Sequence, residues 1–184
     1  MDQILATLRA RNRGERGFTL VELMVVVLII AILIAIAIPT FLGAKSRAQD
    51  KAAQSSLRNA MTNAKGIYTD TDSYTNVTVT ALTTAEPALT FIATGTASTG
   101  AKRVSVNTVT PAAGGTAIIM TALSSSNVCY VIGDWSTGKV FFAKLASGAT
   151  CSATQATTTL TTVLPTPTST SNSATTTGAW VAAW

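Results

Sequence analysis

Residues 18–44 read FTLVELMVVVLIIAILIAIAIPTFLGA, with a single ionisable side chain, Glu22. Residues 23–38 form sixteen consecutive apolar positions. In water such Val and Ile content suits a strand. In a bilayer the backbone must satisfy its own hydrogen bonds, so an apolar run of this length predicts a helix. As a helix, residues 18–42 span roughly 37 Å, enough to cross a hydrocarbon core of about 30 Å. Pro39 and Gly43 stand near the far end. Both break helices in water, whereas a membrane helix accommodates them as a kink or local loosening.

Flanking charge does not orient this segment. Arg9, Arg11, Arg13 and Arg16 precede it, and Lys45, Arg47, Lys51 and Arg58 follow it, so the positive-inside comparison is tied. The C-terminal part carries a better indicator. Cys129 and Cys151 form an even pair in a Gly/Ser/Thr-rich region of low charge, which reads as a disulfide in an oxidising compartment. Two unrelated buried thiols are the plainer alternative. A bridge there would contribute on the order of 3 kcal/mol by constraining the unfolded chain.

Composition narrows the function classes. Of 184 residues only 11% are charged, against about a quarter in an ordinary soluble domain. Residues 1–17 set four arginines against two acids, and the rest of the chain sets nine cations against six acids. That is too thin a basic field for a nucleic-acid binder. The chain has no histidine, which excludes Ser-His-Asp triads, Cys-His pairs and His-ligated metals. No catalytic residue, metal site or cofactor is expected.

The stretch Gly17-Phe18-Thr19-Leu20-Val21-Glu22-Leu23 opens the apolar run. It resembles the processing site of type IV prepilins and the related pseudopilins. The resemblance implies that a membrane-embedded prepilin peptidase cuts between Gly17 and Phe18 and methylates Phe18. Residues 1–17 are then a basic leader that is removed, and Glu22 becomes the fifth mature residue. It further implies polymerisation with copies of the same chain on an inner-membrane assembly platform, and a final place in a cell-surface filament. The precursor would be a single-pass protein of the cytoplasmic membrane, in contact with lipid until it assembles. The resemblance covers residues 11–68, and beyond them only the general layout agrees.

The chemistry of Glu22 points the same way. A carboxylate in a membrane helix costs a few kcal/mol unless paired, and such residues are usually functional. Cleavage at Gly17 frees an α-amino group that is cationic at neutral pH. Methylation preserves that charge, so the amine of Phe18 is a natural counter-ion for Glu22 of a neighbouring copy. An ordinary signal peptide or anchor is the competing reading, with Ala35-Ile36-Ala37 as its cleavage site. Against it, the apolar run continues past that point and holds an acid where a signal peptide is apolar.

Beyond the membrane segment, residues 45–69 are expected to continue as an amphipathic helix. Ala53, Leu57, Ala60, Met61, Ala64, Ile67 and Tyr68 fall within an arc of about 120°. Arg47, Lys51, Arg58 and Lys65 make a basic stripe, read either as a solvated face or as a contact for acidic groups of neighbouring subunits. Residues 70–74 break the helix as a polar turn. Residues 89–93, 103–110, 116–123, 128–132 and 139–145 read as strands, separated by turns at Gly95 and Gly100, Gly114-Gly115, 124–127 and 133–138.

The expected fold is therefore α+β. A long N-terminal helix packs on a small antiparallel sheet (residues 70–151), followed by a Thr/Ser-rich tail (residues 152–184) that reads as disordered or glycan-bearing. Trp180 and Trp184 close that tail as candidate contact residues. The leading function is a structural pilus subunit. The alternatives are a pseudopilin of a type II secretion or DNA-uptake system, and a signal-anchored surface binding protein that does not polymerise.

Overall fold

The computed structural model describes residues 17–110, 115–136, 140–145 and 150–160. Helix α1 runs from Leu20 to Thr71. The chain divides into two compact units, residues 1–44 and 45–184. In the first, the described part is a helix whose residues 20–42 are all exposed. In the second, the remainder of α1 packs on a five-stranded sheet.

That remainder buries Ala53, Leu57, Ala60, Met61 and Ala64 completely or nearly so, with Gln54 and Ser56 among them. Ile67 and Tyr68 pack partly buried at the end of the same arc. Small residues at 53, 60 and 64 let the helix lie close to the sheet. The helix ends where Asp72 takes a left-handed φ of 53°, as expected of the polar turn at 70–74. A 3-10 turn (Tyr74–Asn76) and a short helix α2 (Val79–Ala85) follow. The sequence reading did not include α2; the Thr78 side chain caps it by accepting from the Ala81 N–H.

The strands are β1 (Thr90–Ile92), β2 (Arg103–Val109), β3 (Ala117–Leu123), β4 (Cys129–Trp135) and β5 (Val140–Lys144), in the spatial order β1-β2-β3-β4-β5. From β2 to β5 the sheet is an antiparallel meander. β1 runs parallel to β2, which corrects the all-antiparallel expectation. The segment after β1 makes a crossing over residues 93–102 instead of a tight hairpin. β4 also reaches further than expected. Gly133 is a ladder residue opposite Ile119 and Phe141, not the start of a turn.

Both faces of the sheet are covered. Alternate residues Val104, Val106, Ile118, Met120, Tyr130 and Ile132 meet α1, and Ile119, Cys129, Val131 and Ala143 face the other way. This second core is closed by Leu145, Cys151 and Ala156. Ala156 belongs to helix α3 (Ala153–Leu160), which lies in the stretch expected to be disordered. Ser152 caps α3 through the Gln155 N–H at 3.2 Å. Ser followed three residues later by Gln is a helix-start pattern, masked here by the surrounding Thr/Ser bias. Two-sided cover explains why every residue of β4 is buried. Trp180 and Trp184 lie outside the described residues.

Candidate processing and assembly segment

Helix α1 begins three residues after Gly17. Thr19 is its cap: the hydroxyl accepts from the Glu22 N–H at 3.2 Å, and the Thr19 carbonyl receives the Leu23 N–H at 3.3 Å. Thr19 and Glu22 thus stand in the Thr-x-x-Glu spacing of a capping box. An acid in the first turn also lies at the positive end of the helix dipole. The sequence reading missed this cap, although the spacing was there to see. The Glu22 side chain is exposed and has no partner among the described residues.

Among the described residues, a Cβ placed on Gly17 would meet nothing within 4 Å. Eighteen large apolar side chains between Phe18 and Leu42 are each 49–81% exposed. Leaving such a surface in water costs on the order of tens of kcal/mol, so the segment requires lipid or other helices around it. α1 is long and apolar enough to cross a membrane. It runs unbroken through Pro39 and Gly43. Pro39 has no N–H to give, and the neighbouring Thr40 hydroxyl donates to the carbonyls of Ala37 (2.8 Å) and Ile36 (3.3 Å).

The structure joins Cys129 to Cys151 in a disulfide, with Cα atoms 5.4 Å apart. The bond ties the first residue of β4 to the residues just before α3. Each cysteine is only 4% exposed. Among the described residues there is no cluster of three metal-binding side chains.

Two polar clips, neither expected from the sequence, hold α1 on the sheet. At one end the Ser126 hydroxyl donates to the Asp50 carboxylate. Burial raises the pKa of the nearby Tyr130, and the negative charge of Asp50 adds to the shift. At the other end Asp134, in β4, is 1% exposed. It accepts from the Tyr74 hydroxyl and forms an ion pair with Lys65 at 3.2 Å. Burial, then the bond to Asp134, pushes the Tyr74 pKa far up. Tyr68 stacks on Tyr74 with ring centroids 4.6 Å apart. The basic stripe is thus partly absorbed by the fold: Lys65 pairs with Asp134, and Arg58 lies 5.9 Å over the Phe142 ring.

Residues 12–38 fit the family model described as the prokaryotic N-terminal methylation motif. The matched residues contain Gly17, Phe18, Thr19 and Glu22 and stop one residue short of Pro39. No curated protein and no solved structure matches the chain. The chain carries the prokaryotic N-terminal methylation motif, the cleavage–methylation signature of type IV pilins and their prepilin-processed relatives.

Proposed function

We propose that this chain is a structural subunit of a type IV pilus. It is made as a single-pass precursor in the cytoplasmic membrane and cut by prepilin peptidase between Gly17 and Phe18. Phe18 becomes the methylated N-terminus. Residues 18–44 then leave lipid for the core of an extracellular filament, guided by an inner-membrane assembly platform. Residues 45–69 join that core helix to the sheet domain, which extends through α3 to residue 160.

One observation carries the reading: a helix whose first 23 residues are exposed and almost all apolar begins at a methylation motif. A lipid anchor alone needs the apolar surface but not the motif. Lipid tails are as apolar as the helix, so leaving them for other helices has little hydrophobic drive. Packing and a Glu22–Phe18 amine pair between copies would supply it. Pro39 and Gly43 give the helix a place to bend as it packs.

The test is intact-mass measurement on filaments sheared from cells, imaged by electron microscopy. The expected mass lacks residues 1–17 and carries one added methyl group. A terminus at Ile38 would show ordinary signal-peptide cleavage instead. Replacing Gly17 with Leu is expected to leave the uncut precursor in the membrane.

A further inference from the structure

The part of α1 that lies on the sheet keeps unused charge at its two ends. Arg47 and Lys51 are exposed near its start, and Asp70 is exposed in its last turn. Arg47 and Asp70 have no side-chain hydrogen bond or ion pair among the described residues, and Lys51 reaches only the neutral Gln54 Oε1, at 3.1 Å. The cations between them, Arg58 and Lys65, are engaged by Phe142 and Asp134.

Asp70 is also badly placed for its own helix. The last turn is the negative end of the helix dipole, where acids weaken a helix and cations support it. α1 has no basic residue in that turn. Asp72, just beyond, adds a second acid whose carboxylate faces Tyr68. Within the described residues nothing offsets Asp70, and its charge is complementary to the free pair at the other end.

We propose that Asp70 of one copy docks on the Arg47–Lys51 face of a second copy. This rests on the filament reading above and adds to it the contact that sets subunit register. The two surfaces are different patches of one molecule, so each contact leaves a free acid on one copy and a free basic face on the other. Such heterologous contacts propagate into open filaments when the rotation does not close. Arg47 and Asp70 are 23 residues apart on one helix, so the contact offsets successive partners by roughly 35 Å along it. Exposed ion pairs act mainly on register and partner choice, and like charges brought together are strongly disfavoured. Assembly is driven by the apolar helix; the charge contact selects where it stops.

The experiment compares filament yield from cells expressing the full chain. R47E/K51E and D70K are each expected to lower yield about tenfold or more, with mature protein retained in the membrane at normal level. R47E/K51E/D70K, which restores opposite charges in reverse, is expected to recover most of that yield. In filaments of R47C/D70C, oxidation is expected to give a ladder of linked subunits that neither single variant gives.

Normal yield from the reversal variants, no recovery in the triple variant, or no ladder overturns the proposal. A basic-face variant that fails without recovery in the triple variant would assign Arg47 and Lys51 to another partner, such as anionic lipid headgroups. Absence of filaments from the unaltered chain would instead sink the pilus reading, and the register contact with it.

Discussion

Lys65 of α1 and Asp134 of β4 face each other 3.2 Å apart, and their side chains are 40% and 2% exposed. The pair is asymmetric: Lys65 reaches water, whereas the buried Asp134 carboxylate has Lys65 and Tyr74 as its partners. One Asp134 oxygen has both partners, and the other, Oδ1, is buried without one among the described residues. Losing Lys65 should therefore hurt more than a surface ion pair does. We expect Lys65→Met to cost about 1–3 kcal/mol, after discounting for the solvent-exposed lysine. Adding Asp134→Asn removes the stranded charge and keeps an acceptor for Tyr74, so the double variant should recover part of the loss. Thermal melts of the detergent-solubilised chain measure both. A Lys65→Met variant as stable as the parent would remove the pair from the account.

Tyr74 makes stability pH-dependent at the alkaline end. Its folded-state pKa is raised above the ordinary 10.0 by burial first and by Asp134 second. The unfolded chain loses that proton near 10 while the folded chain keeps it, so stability is fully present below pH 10 and falls as pH rises above it. Tyr68 and Tyr130 are shifted in the same direction, so the slope should be shared. Tyr74→Phe should melt lower at neutral pH, by about 1.5–3 kcal/mol for the lost hydrogen bond to a charged acceptor. Its loss of stability above pH 10 should be shallower. An unchanged alkaline slope would mean that Tyr74 ionises as freely folded as unfolded.

The Cys129–Cys151 bond closes a loop with 22 residues of sequence separation. Converting both to Ser should cost about 3 kcal/mol. The second core, where Leu145 and Ala156 pack beside the two sulfurs, should loosen first. Hydrogen exchange would show this as lost protection in residues 150–157 with α1 less affected. Because both sulfurs are buried, reductant should act slowly on the native protein and quickly once it is unfolded. Equal rates would contradict the buried placement.

Glu22→Gln separates a helix-capping role from an assembly role. Glutamine also serves in a capping box, and the Thr19 hydroxyl still accepts the residue-22 N–H. Helix start, membrane insertion and cleavage after Gly17 should therefore survive. The proposed counter-charge for a neighbour's Phe18 amine would be lost, and deleting one partner of a pair buried in low dielectric costs about 3–5 kcal/mol. Filament yield should collapse while cleaved, methylated protein accumulates in the membrane. Normal filaments at normal yield would end the pairing model.

Much of this molecule is governed by short-range pattern. An uninterrupted apolar run leaves helix as its stable form in lipid, and Gly17–Leu23 is read by its order of residues alone. The buried arc of α1 from Ala53 to Tyr68 follows from a 3.6-residue period. β2 and β3 follow from runs rich in β-branched residues, and β5 from its Val-Phe-Phe stretch, each between turns. Helices α2 and α3 are different in kind. Their Thr and Ala residues carry no strong period, and only Thr78 and Ser152 mark their starts.

What the chain order alone determined is thus an apolar helix long enough to cross a membrane, the methylation motif at its start and the α+β class, because each depends on neighbours in sequence. What only the tertiary structure decided is the parallel seating of β1 on β2, the reach of β4 through Gly133-Asp134 and the burial of Asp134 between Tyr74 and Lys65. Gly-Asp is locally a turn signal. It becomes strand here because β3 and β5 on either side supply the backbone hydrogen bonds, and residues 60 and 69 positions away in the chain supply the partners of the buried carboxylate.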